Sequence, residues 1–193
     1  MSRRYAQIEC AAQKRGFACA VYYYNMTELF LTENGNVYGK IQKLLKARLS
    51  APFEILKTAN GKPYIGGDPL FFSLSHSGTV ALIAISDNPV GVDIETVSNR
   101  SRKVILNSFT NGERAEIDGE RDFLRHWVVR EAYIKMLGST LAAKLKKLRY
   151  VGGVLYDGES KADGACFVAD GENFVYSLCV RSDDEKLPEI TRI

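Results

Sequence analysis

Runs of β-branched and aromatic residues alternate along the chain with turn-forming residues, a pattern that predicts short strands. The runs lie at residues 17–24, 70–74, 80–85, 90–95, 150–156, 165–169 and 174–181. The small polar residues at 75–78 are expected to interrupt the second run. A turn at 60–63 is expected from composition, and the turn at 87–89 predicts a hairpin between its two flanking strands.

Helical spacing appears in other parts of the chain. Ile41, Leu44 and Leu45 recur at helical spacing within residues 38–49, with lysines between them, and Pro52 follows the end of this helix. Thr110 or Asn111 is expected to cap a short helix, and the longest helical pattern covers residues 122–137. Residues 182–193 are expected to fray. Because hairpins and helices are interleaved, the pattern predicts an α+β fold.

Composition excludes several classes of protein. The 193 residues are 46% hydrophobic and 25% charged, which is typical of a globular chain, and no apolar run is long enough to span a bilayer. A net charge of +3 argues against a nucleic-acid coat protein. Four scattered cysteines without a CxxC pair argue against a zinc site or a disulfide scaffold and fit a reducing cytosol. Residues 1–16 are expected to form a loosely held, disordered basic leader without a secretory signal.

Two acidic side chains share one face of the predicted strand at 90–95. Because side chains alternate along a strand, Asp93 and Glu95 point to one side and the apolar residues to the other. Carboxylate oxygens are the ligands that Mg²⁺ prefers, so this pair is a candidate metal site. The alternative is a solvent-facing strand edge that carries two acids.

A third acid lies on the longest predicted helix. Glu131 follows Trp127 by four residues and precedes Ile134 by three, which places it within the apolar stripe. A charge directed inward is costly unless it is paired or binds a metal ion. Lys135 lies one turn further along the same face. The alternative is an ordinary surface Glu–Lys pair.

Hydroxyl side chains surround one of the two histidines, His76, in the segment Phe72-Ser-Leu-Ser-His-Ser-Gly78. Such a segment is suited to a phosphate or oxyanion pocket, or to hydrogen bonds within a buried turn. A serine nucleophile is disfavoured, because the GxSxG elbow is lacking and His126 is expected on the outer side of its helix.

Basic residues are concentrated in two segments, one between positions 40 and 62 and one at 144–149. Solvated faces are the usual explanation of such clusters. The functional alternatives are phosphate binding and docking of an acidic protein.

Four segments together resemble the 4′-phosphopantetheinyl transferase superfamily, in its monomeric, two-halved type. The matching residues are Gly61-Lys-Pro-Tyr64, Phe72-Ser-Leu-Ser-His-Ser-Gly78, Gly91-Val-Asp-Ile-Glu95 and Trp127-x-x-Arg-Glu-Ala-x-x-Lys135, followed by Gly138 and Leu141. Each motif alone is weak, but their order and spacing over residues 61–141 are specific. Arg130 stands where the family usually has lysine, and Thr140 replaces a frequent second glycine.

The resemblance implies two similar α+β halves related by a pseudo-twofold axis, at 17–90 and 91–193, with the site between them in one compact unit. It also implies that a magnesium-dependent enzyme moves the 4′-phosphopantetheine of coenzyme A onto a serine of an apo acyl or peptidyl carrier protein. The other product is adenosine 3′,5′-bisphosphate. Fatty-acid, polyketide and nonribosomal-peptide pathways use such carriers. The implied partner surface is the acidic helix face of the carrier, and the implied protein is a cytoplasmic monomer without nucleic-acid or membrane partners.

The implied site residues follow from the matched motifs. Mg²⁺ would be held by Asp93, Glu95 and Glu131, and catalysis would depend on Asp93, Glu131 and Lys135. Either Glu131 or a metal-bound water would accept the serine proton. The residues implied to bind coenzyme A are Lys62, Ser75, His76 and Lys135, with one or two of Lys40, Lys43 and Lys46 at the 3′-phosphate.

Two alternative functions are also compatible with the sequence. A metal-dependent phosphodiesterase would use the same three acids but would leave the Lys62 and His76 motifs unexplained. A non-catalytic module that binds coenzyme A or a carrier protein would not need the complete set of acids.

Overall fold

The computed structural model describes residues 7–9, 20–22, 26–33, 35–67, 70–98, 107–182 and 186–193, and only the backbone of the first two segments. The strands are β1 Gln7–Glu9, β2 Ala20–Tyr22, β3 Thr27–Glu33, β4 Ile55–Lys57, β5 Pro63–Ile65, β6 Phe71–Ser77, β7 Val80–Ser86, β8 Val90–Thr96, β9 Leu148–Val151, β10 Val154–Asp157, β11 Ser160–Lys161, β12 Ala165–Asp170, β13 Phe174–Val180 and β14 Ile190–Arg192. The helices are α1 Val37–Lys46, α2 Asn111–Ala115, α3 Glu120–Leu137 and α4 Leu141–Lys144, and a 3₁₀ turn follows at Leu145–Lys147.

The same topology occurs twice along the chain. Strand β3, helix α1 and the hairpin β6–β7 form the first unit, in the strand order β3-β7-β6. Strand β8, helix α3 and the hairpin β12–β13 form the second, in the order β8-β13-β12. In each unit the first strand pairs antiparallel with the second strand of the hairpin. The predicted α+β fold with two similar halves is therefore confirmed, and the boundary at residue 90 stays a prediction.

The predicted hairpin between β7 and β8 is wrong. β7 pairs with β3 and β6, whereas β8 pairs with β13. The tight turn lies instead between β6 and β7, where Gly78 has a φ of 56°, a conformation that glycine adopts at low cost. The β6–β7 and β7–β8 connections both contain turn residues, so the local sequence does not show which of the two joins paired strands.

Three other boundaries differ from the prediction. β6 continues through residues 75–77, because these residues pair with β7, and the hydroxyls of Ser75 and Ser77 bond to β8. The predicted strand at 150–156 is divided into β9 and β10 by a turn at Gly152 and Gly153. Residues 190–192 are not frayed but form β14, which pairs in parallel with β3. Of the predicted leader, only residues 7–9 are described, and they pair with β2 inside the predicted strand at 17–24.

The helices begin and end close to the predicted positions. α1 is closed by hydrogen bonds from the N–H groups of Arg48 and Leu49 to Leu45 O, so it ends three residues before the prediction. α1 buries Val37, Ile41 and Leu45 against its sheet. Thr110 caps α2 as predicted, and Glu113 completes a capping box with it. In the described part of the chain, no helix combines the length and apolarity that crossing a membrane requires.

Strand β8 is buried on both faces. Val90, Val92 and Ile94 are at most 1% exposed and pack with apolar residues of β3, β7 and β13. The other face lies under α3, where a Cβ added to Gly91 would be 2.0 Å from Ala132 O and 2.4 Å from Met136 N. The alternative of a solvent-facing strand edge is therefore wrong.

The close approach at Gly91 predicts a large effect of Gly91→Ala. The added methyl group would meet two backbone atoms of α3, which can only separate if the helix moves. We expect the variant to lose about 3 kcal/mol of unfolding free energy, as strongly overpacked sites do, in urea titrations followed by circular dichroism. Gly35→Ala is the control, because no atom lies within 4 Å of its added Cβ. Equal stability of the two variants would contradict the packing described for α3 and β8.

Candidate active site

Asp93 of β8 and Lys135 of α3 form an ion pair where the strand and the helix face each other. Lys135 Nζ lies 2.7 Å from Asp93 Oδ1, and Ser75 Oγ donates to the same oxygen, also at 2.7 Å. Asp93 is only 4% exposed. The structure therefore joins three of the predicted site residues by direct contacts.

The second carboxyl oxygen of Asp93 has a different environment. Asp93 Oδ2 is buried and has no hydrogen-bond partner among the described residues. Burial raises the pKa of Asp93, the neighbouring Glu95 raises it further, and Lys135 opposes both effects. A buried carboxylate oxygen without a donor is costly, so this atom is a natural ligand for a proton or a cation.

Glu131 is close enough to these acids to be affected by their charge. Burial, and then the charge of Asp93, raise the pKa of Glu131 to about 7, with a smaller contribution from Glu95. Lys135, one helical turn away, only partly offsets this increase. Asp93, Glu95 and Glu131 thus lie in one region, where the positive charge of Lys135 offsets their negative charge only in part. The alternative of an ordinary surface Glu–Lys pair does not fit this environment, because Lys135 binds Asp93 directly.

Three serines of β6 line up against β8. Ser73 Oγ accepts from Val92 N at 3.1 Å, Ser75 Oγ donates to Asp93, and Ser77 Oγ donates to Glu95 Oε2 at 2.9 Å. These serines are two residues apart, so a strand directs them to one face. The hydroxyls of the first unit therefore orient the acids of the second. Ser75 was predicted from the sequence, whereas Ser73 and Ser77 were not, although the alternation along a strand selects them with Ser75.

The three carboxylates have the chemistry that Mg²⁺ prefers in its ligands, but their side chains do not already form a complete metal site. Asp93, Glu95 and Glu131 offer only hard oxygen ligands, and Asp93 Oδ2 needs a positive partner. Within the described ranges, however, no three His, Cys, Asp or Glu side chains are already grouped for an ion. Lys135 occupies the other oxygen of Asp93. Binding of an ion would therefore require side-chain rotation at this site.

A cleft of about 260 Å³ opens next to Lys135. Its walls come from both units: the loop at 60–63, residues 72–74 of β6 and Tyr38 of α1 on one side, and the end of α3 on the other. Asn60 Nδ2 donates across the cleft to Gly138 O at 2.9 Å. Lys135 is thus shared by the cleft and by the acidic cluster of Asp93, Glu95 and Glu131.

Lys62 also lines the cleft and connects its two walls. Its Nζ donates to Val90 O at 3.2 Å and to Met136 O at 3.0 Å. Burial, and secondarily the charge of Arg181, lower the pKa of Lys62 to about 8. The ammonium therefore has a structural role that the sequence did not indicate, and it has one N–H left for an anion.

The other predicted ligand-binding residues lie apart from the acids. His76 is exposed and points away from Ser75, because the two are adjacent on β6. Lys43 and Lys46 are exposed on α1, and none of these three belongs to the described lining of the cleft. Lys40 donates to Thr32 Oγ1 and, at 3.4 Å, to Glu33 O.

A second buried ion pair, between Arg130 and Glu113, was missed by the sequence analysis. Both side chains are 0% exposed and bond to each other, and the Arg130 guanidinium stacks 4.2 Å from the ring centroid of Phe109. Burial alone would raise the pKa of Glu113, but N–H donors from Tyr150 and Thr110, together with Arg130, lower it. The signal was available, since Glu113 completes the capping box of Thr110.

His126 is buried, which corrects the expectation that it lies on the outer side of α3. Its exposure is 4%, and its ring packs edge-on against Tyr150 and near Phe109. The Nδ1 atom lies 2.9 Å from Asp122 O. Aromatic neighbours from β9 and from the segment before α2 cover this side of the helix, which the helix pattern alone did not reveal.

Comparison with known proteins gives a consistent family signal. Residues 89–151 match a family model described as the 4′-phosphopantetheinyl transferase superfamily. The chain is similar to 4′-phosphopantetheinyl transferase AcpT of Salmonella typhi, at 38% identity over 107 residues, covering 50% of this chain and 56% of that protein. It is also similar to 4′-phosphopantetheinyl transferase gsp of Aneurinibacillus migulanus, at 32% identity over 127 residues, covering 61% and 52%.

A third relative is also named a 4′-phosphopantetheinyl transferase. The 4′-phosphopantetheinyl transferase of Bacillus subtilis is 28% identical over 138 residues, covering 64% of this chain and 61% of that protein. The chain spans about half the length of the curated relatives that it matches. The matched family segment, residues 89–151, contains Asp93, Glu131 and Lys135.

The raised pKa of Glu131 predicts a pH-dependent stability of the metal-free protein. Between its ordinary pKa of 4.5 and its folded-state pKa of about 7, the folded protein holds a proton that the unfolded chain releases. Stability is therefore expected to fall as pH rises from about 5 to about 7, and the raised pKa of Asp93 adds to this fall. Glu131→Gln removes one titrating group and should reduce the fall by on the order of 2 kcal/mol.

Urea unfolding in the presence of EDTA at a series of pH values measures this effect. Glu54→Gln, at an exposed position, is the matched control and should keep the wild-type slope. If Glu131→Gln and wild type lost stability equally over this interval, the described burial of Glu131 among like charges would be incorrect.

Proposed function

Because the chain belongs to the 4′-phosphopantetheinyl transferase superfamily, we propose that it transfers 4′-phosphopantetheine from coenzyme A to a serine of an apo carrier protein. The observation that carries the proposal is the environment of Asp93. One of its oxygens binds Lys135 at the edge of the cleft, and the other is buried without a donor. This arrangement suits a diphosphate accompanied by a divalent ion.

We infer that Mg²⁺ is held by Asp93, Glu95 and Glu131. When bound, the ion neutralises negative charge on the diphosphate. Ser75 and Ser77 would keep two of these carboxylates oriented, since their hydroxyls already bond to Asp93 and Glu95. Lys135 would turn from Asp93 towards the diphosphate, because the cation would replace it as the partner of that carboxylate.

In the reaction, the serine oxygen of the carrier attacks the phosphorus that bears the pantetheine. The bond from this phosphorus to the bridging oxygen breaks, and adenosine 3′,5′-bisphosphate leaves. We assign the serine proton to Glu131, because a carboxylate beside the reacting atoms can act as a general base. Positioning and charge neutralisation account for most of the catalysis in such transfers.

Lys62 is proposed to bind a phosphate of coenzyme A with the N–H that its two carbonyl partners leave over. His76, Lys43 and Lys46 are exposed and are proposed to reach the outer phosphates only when the ligand extends from the cleft. Lys146 and Lys147, exposed after α4, are proposed to meet the acidic helix face of the carrier. The protein is proposed to act as a monomer in the cytoplasm.

A transfer assay tests the proposed activity. Purified protein is mixed with Mg²⁺, coenzyme A and apo carriers from fatty-acid and peptide-synthetase pathways, and mass spectrometry should show one phosphopantetheine added per carrier. Asp93→Ala should lower the rate at least about 100-fold, since it removes the buried carboxylate. Asp118→Asn, at an exposed position, should be indistinguishable from wild type. An unmodified carrier in every pathway tested would reject the proposed activity.

Calorimetry separates an enzyme from a binding module. We expect coenzyme A to bind at least about 10-fold more weakly when EDTA removes Mg²⁺, because the diphosphate then faces uncompensated carboxylates. In Asp93→Asn the dependence on Mg²⁺ should be much smaller than in wild type. Binding of coenzyme A that is equally strong with and without Mg²⁺ would favour the non-catalytic module.

A further inference from the structure

Two of the scattered cysteines become direct neighbours in the fold. In the antiparallel pair β12–β13, Cys166 lies opposite Cys179. The hydrogen bond from Gly171 N to Phe174 O, at 2.8 Å, closes this hairpin and marks residues 171 and 174 as a hydrogen-bonded pair. Because hydrogen-bonded and non-hydrogen-bonded pairs alternate, five steps back along the ladder Cys166 and Cys179 form a non-hydrogen-bonded pair.

This position has the geometry that a disulfide requires. Residues of a non-hydrogen-bonded pair approach to about 4.5 Å between Cα atoms, and their side chains project to the same face. Disulfides span Cα separations of about 4.4–6.8 Å. Both thiols are free. The bond can therefore form without a change of register.

The pair also contacts the helix that carries the site. Cys179 Sγ donates to Val129 O of α3 at 3.7 Å, and Val129 lies two residues before Glu131. Cys179 is also the β13 partner of Gly91, where α3 lies closest to β8. A change at this sulfur therefore acts directly on the contact between α3 and the sheet.

We propose that Cys166 and Cys179 form a reversible disulfide that alters the packing of α3 on its sheet. A disulfide uses the thiol hydrogen of Cys179, so the hydrogen bond to Val129 O is lost. It also draws the two sulfur atoms together. The spacing of the cysteines argued against a disulfide, but the fold brings this pair together.

The oxidation is balanced with a peroxide as the oxidant. Cys166 is half-buried and Cys179 fully buried, and burial raises the pKa of the Cys179 thiol, so Cys166 reacts first. The Cys166 thiolate attacks one peroxide oxygen and releases hydroxide, which gives a sulfenic acid. The Cys179 sulfur then attacks the Cys166 sulfur, and the sulfenic oxygen leaves as water with the thiol proton. Two thiols are oxidised and one hydrogen peroxide is reduced to two waters.

Peptide mapping of the full-length protein tests the bond. Both cysteines lie in the tryptic peptide 162–181, which has no internal lysine or arginine, while Cys10 and Cys19 fall in other peptides. The folded protein is treated with hydrogen peroxide and then denatured in iodoacetamide. We expect peptide 162–181 to carry no alkyl group and to be two hydrogen atoms lighter than its dithiol form. Prior treatment with dithiothreitol should restore two alkylated thiols.

Cys166→Ser is the matched control. The single thiol left in its peptide 162–181, that of Cys179, should still be alkylated after the same peroxide treatment, because the reacting partner is missing. The proposed bond would be rejected if wild-type peptide 162–181 kept two alkylated thiols. It would equally be rejected if Cys166 were oxidised to a sulfinic acid while Cys179 remained alkylatable.

Fluorescence of the single tryptophan tests the effect on α3. Trp127 lies on this helix and packs in the same apolar cluster as Val168 of β12. We expect peroxide to change the emission of wild type, dithiothreitol to reverse the change, and Cys166→Ser to show none. A disulfide that formed without any change in emission would overturn the proposed coupling to the helix.

Discussion

The contact between α3 and β8 at Gly91 is the constraint on which the candidate site depends. Since residue 91 has no side chain, backbone atoms of Ala132 and Met136 reach positions that a Cβ would occupy. At this separation Lys135 spans the gap from the helix to Asp93. Glu131 is brought close enough to Asp93 and Glu95 for their charges to raise its pKa. A larger side chain at position 91 would separate the charged residues of the helix from those of the strand.

Two neighbouring residues of α3, Arg130 and Glu131, carry charges in different electrostatic environments. Arg130 is paired with Glu113, stacked on Phe109 and fully enclosed, and the pKa of Glu113 is held low. Glu131 faces two other acids, and its pKa is raised. Buried charges that face an opposite charge are a structural feature, whereas under-compensated acids beside a cleft mark functional sites. The structure therefore separates the anchoring side of α3 from its reactive side.

Local sequence patterns predicted the helices and strands themselves better than they predicted which strands pair with each other. The alternation in β8 correctly predicted that Asp93 and Glu95 share one face. The apolar stripe of α3 correctly predicted that Glu131 points inward. Strand pairing is set by contacts between distant residues, and therefore the turn after β7 wrongly suggested a hairpin. The same limit applies to Cys166 and Cys179, whose spacing in the chain says nothing about their register in the sheet.

The walls of the cleft are joined mainly by polar contacts. Asn60 reaches Gly138 O, and Lys62 reaches carbonyl oxygens at the start of β8 and the end of α3. Each neutral carbonyl compensates a buried ammonium only weakly, and the lowered pKa of Lys62 reflects this. An anion in the cleft would supply the missing negative charge without breaking the connection between the walls. The contact of Lys62 with the second unit and the binding of an anionic ligand thus favour the same position of this side chain. A bound anion would therefore stabilise both the charged form of Lys62 and the contact between the walls.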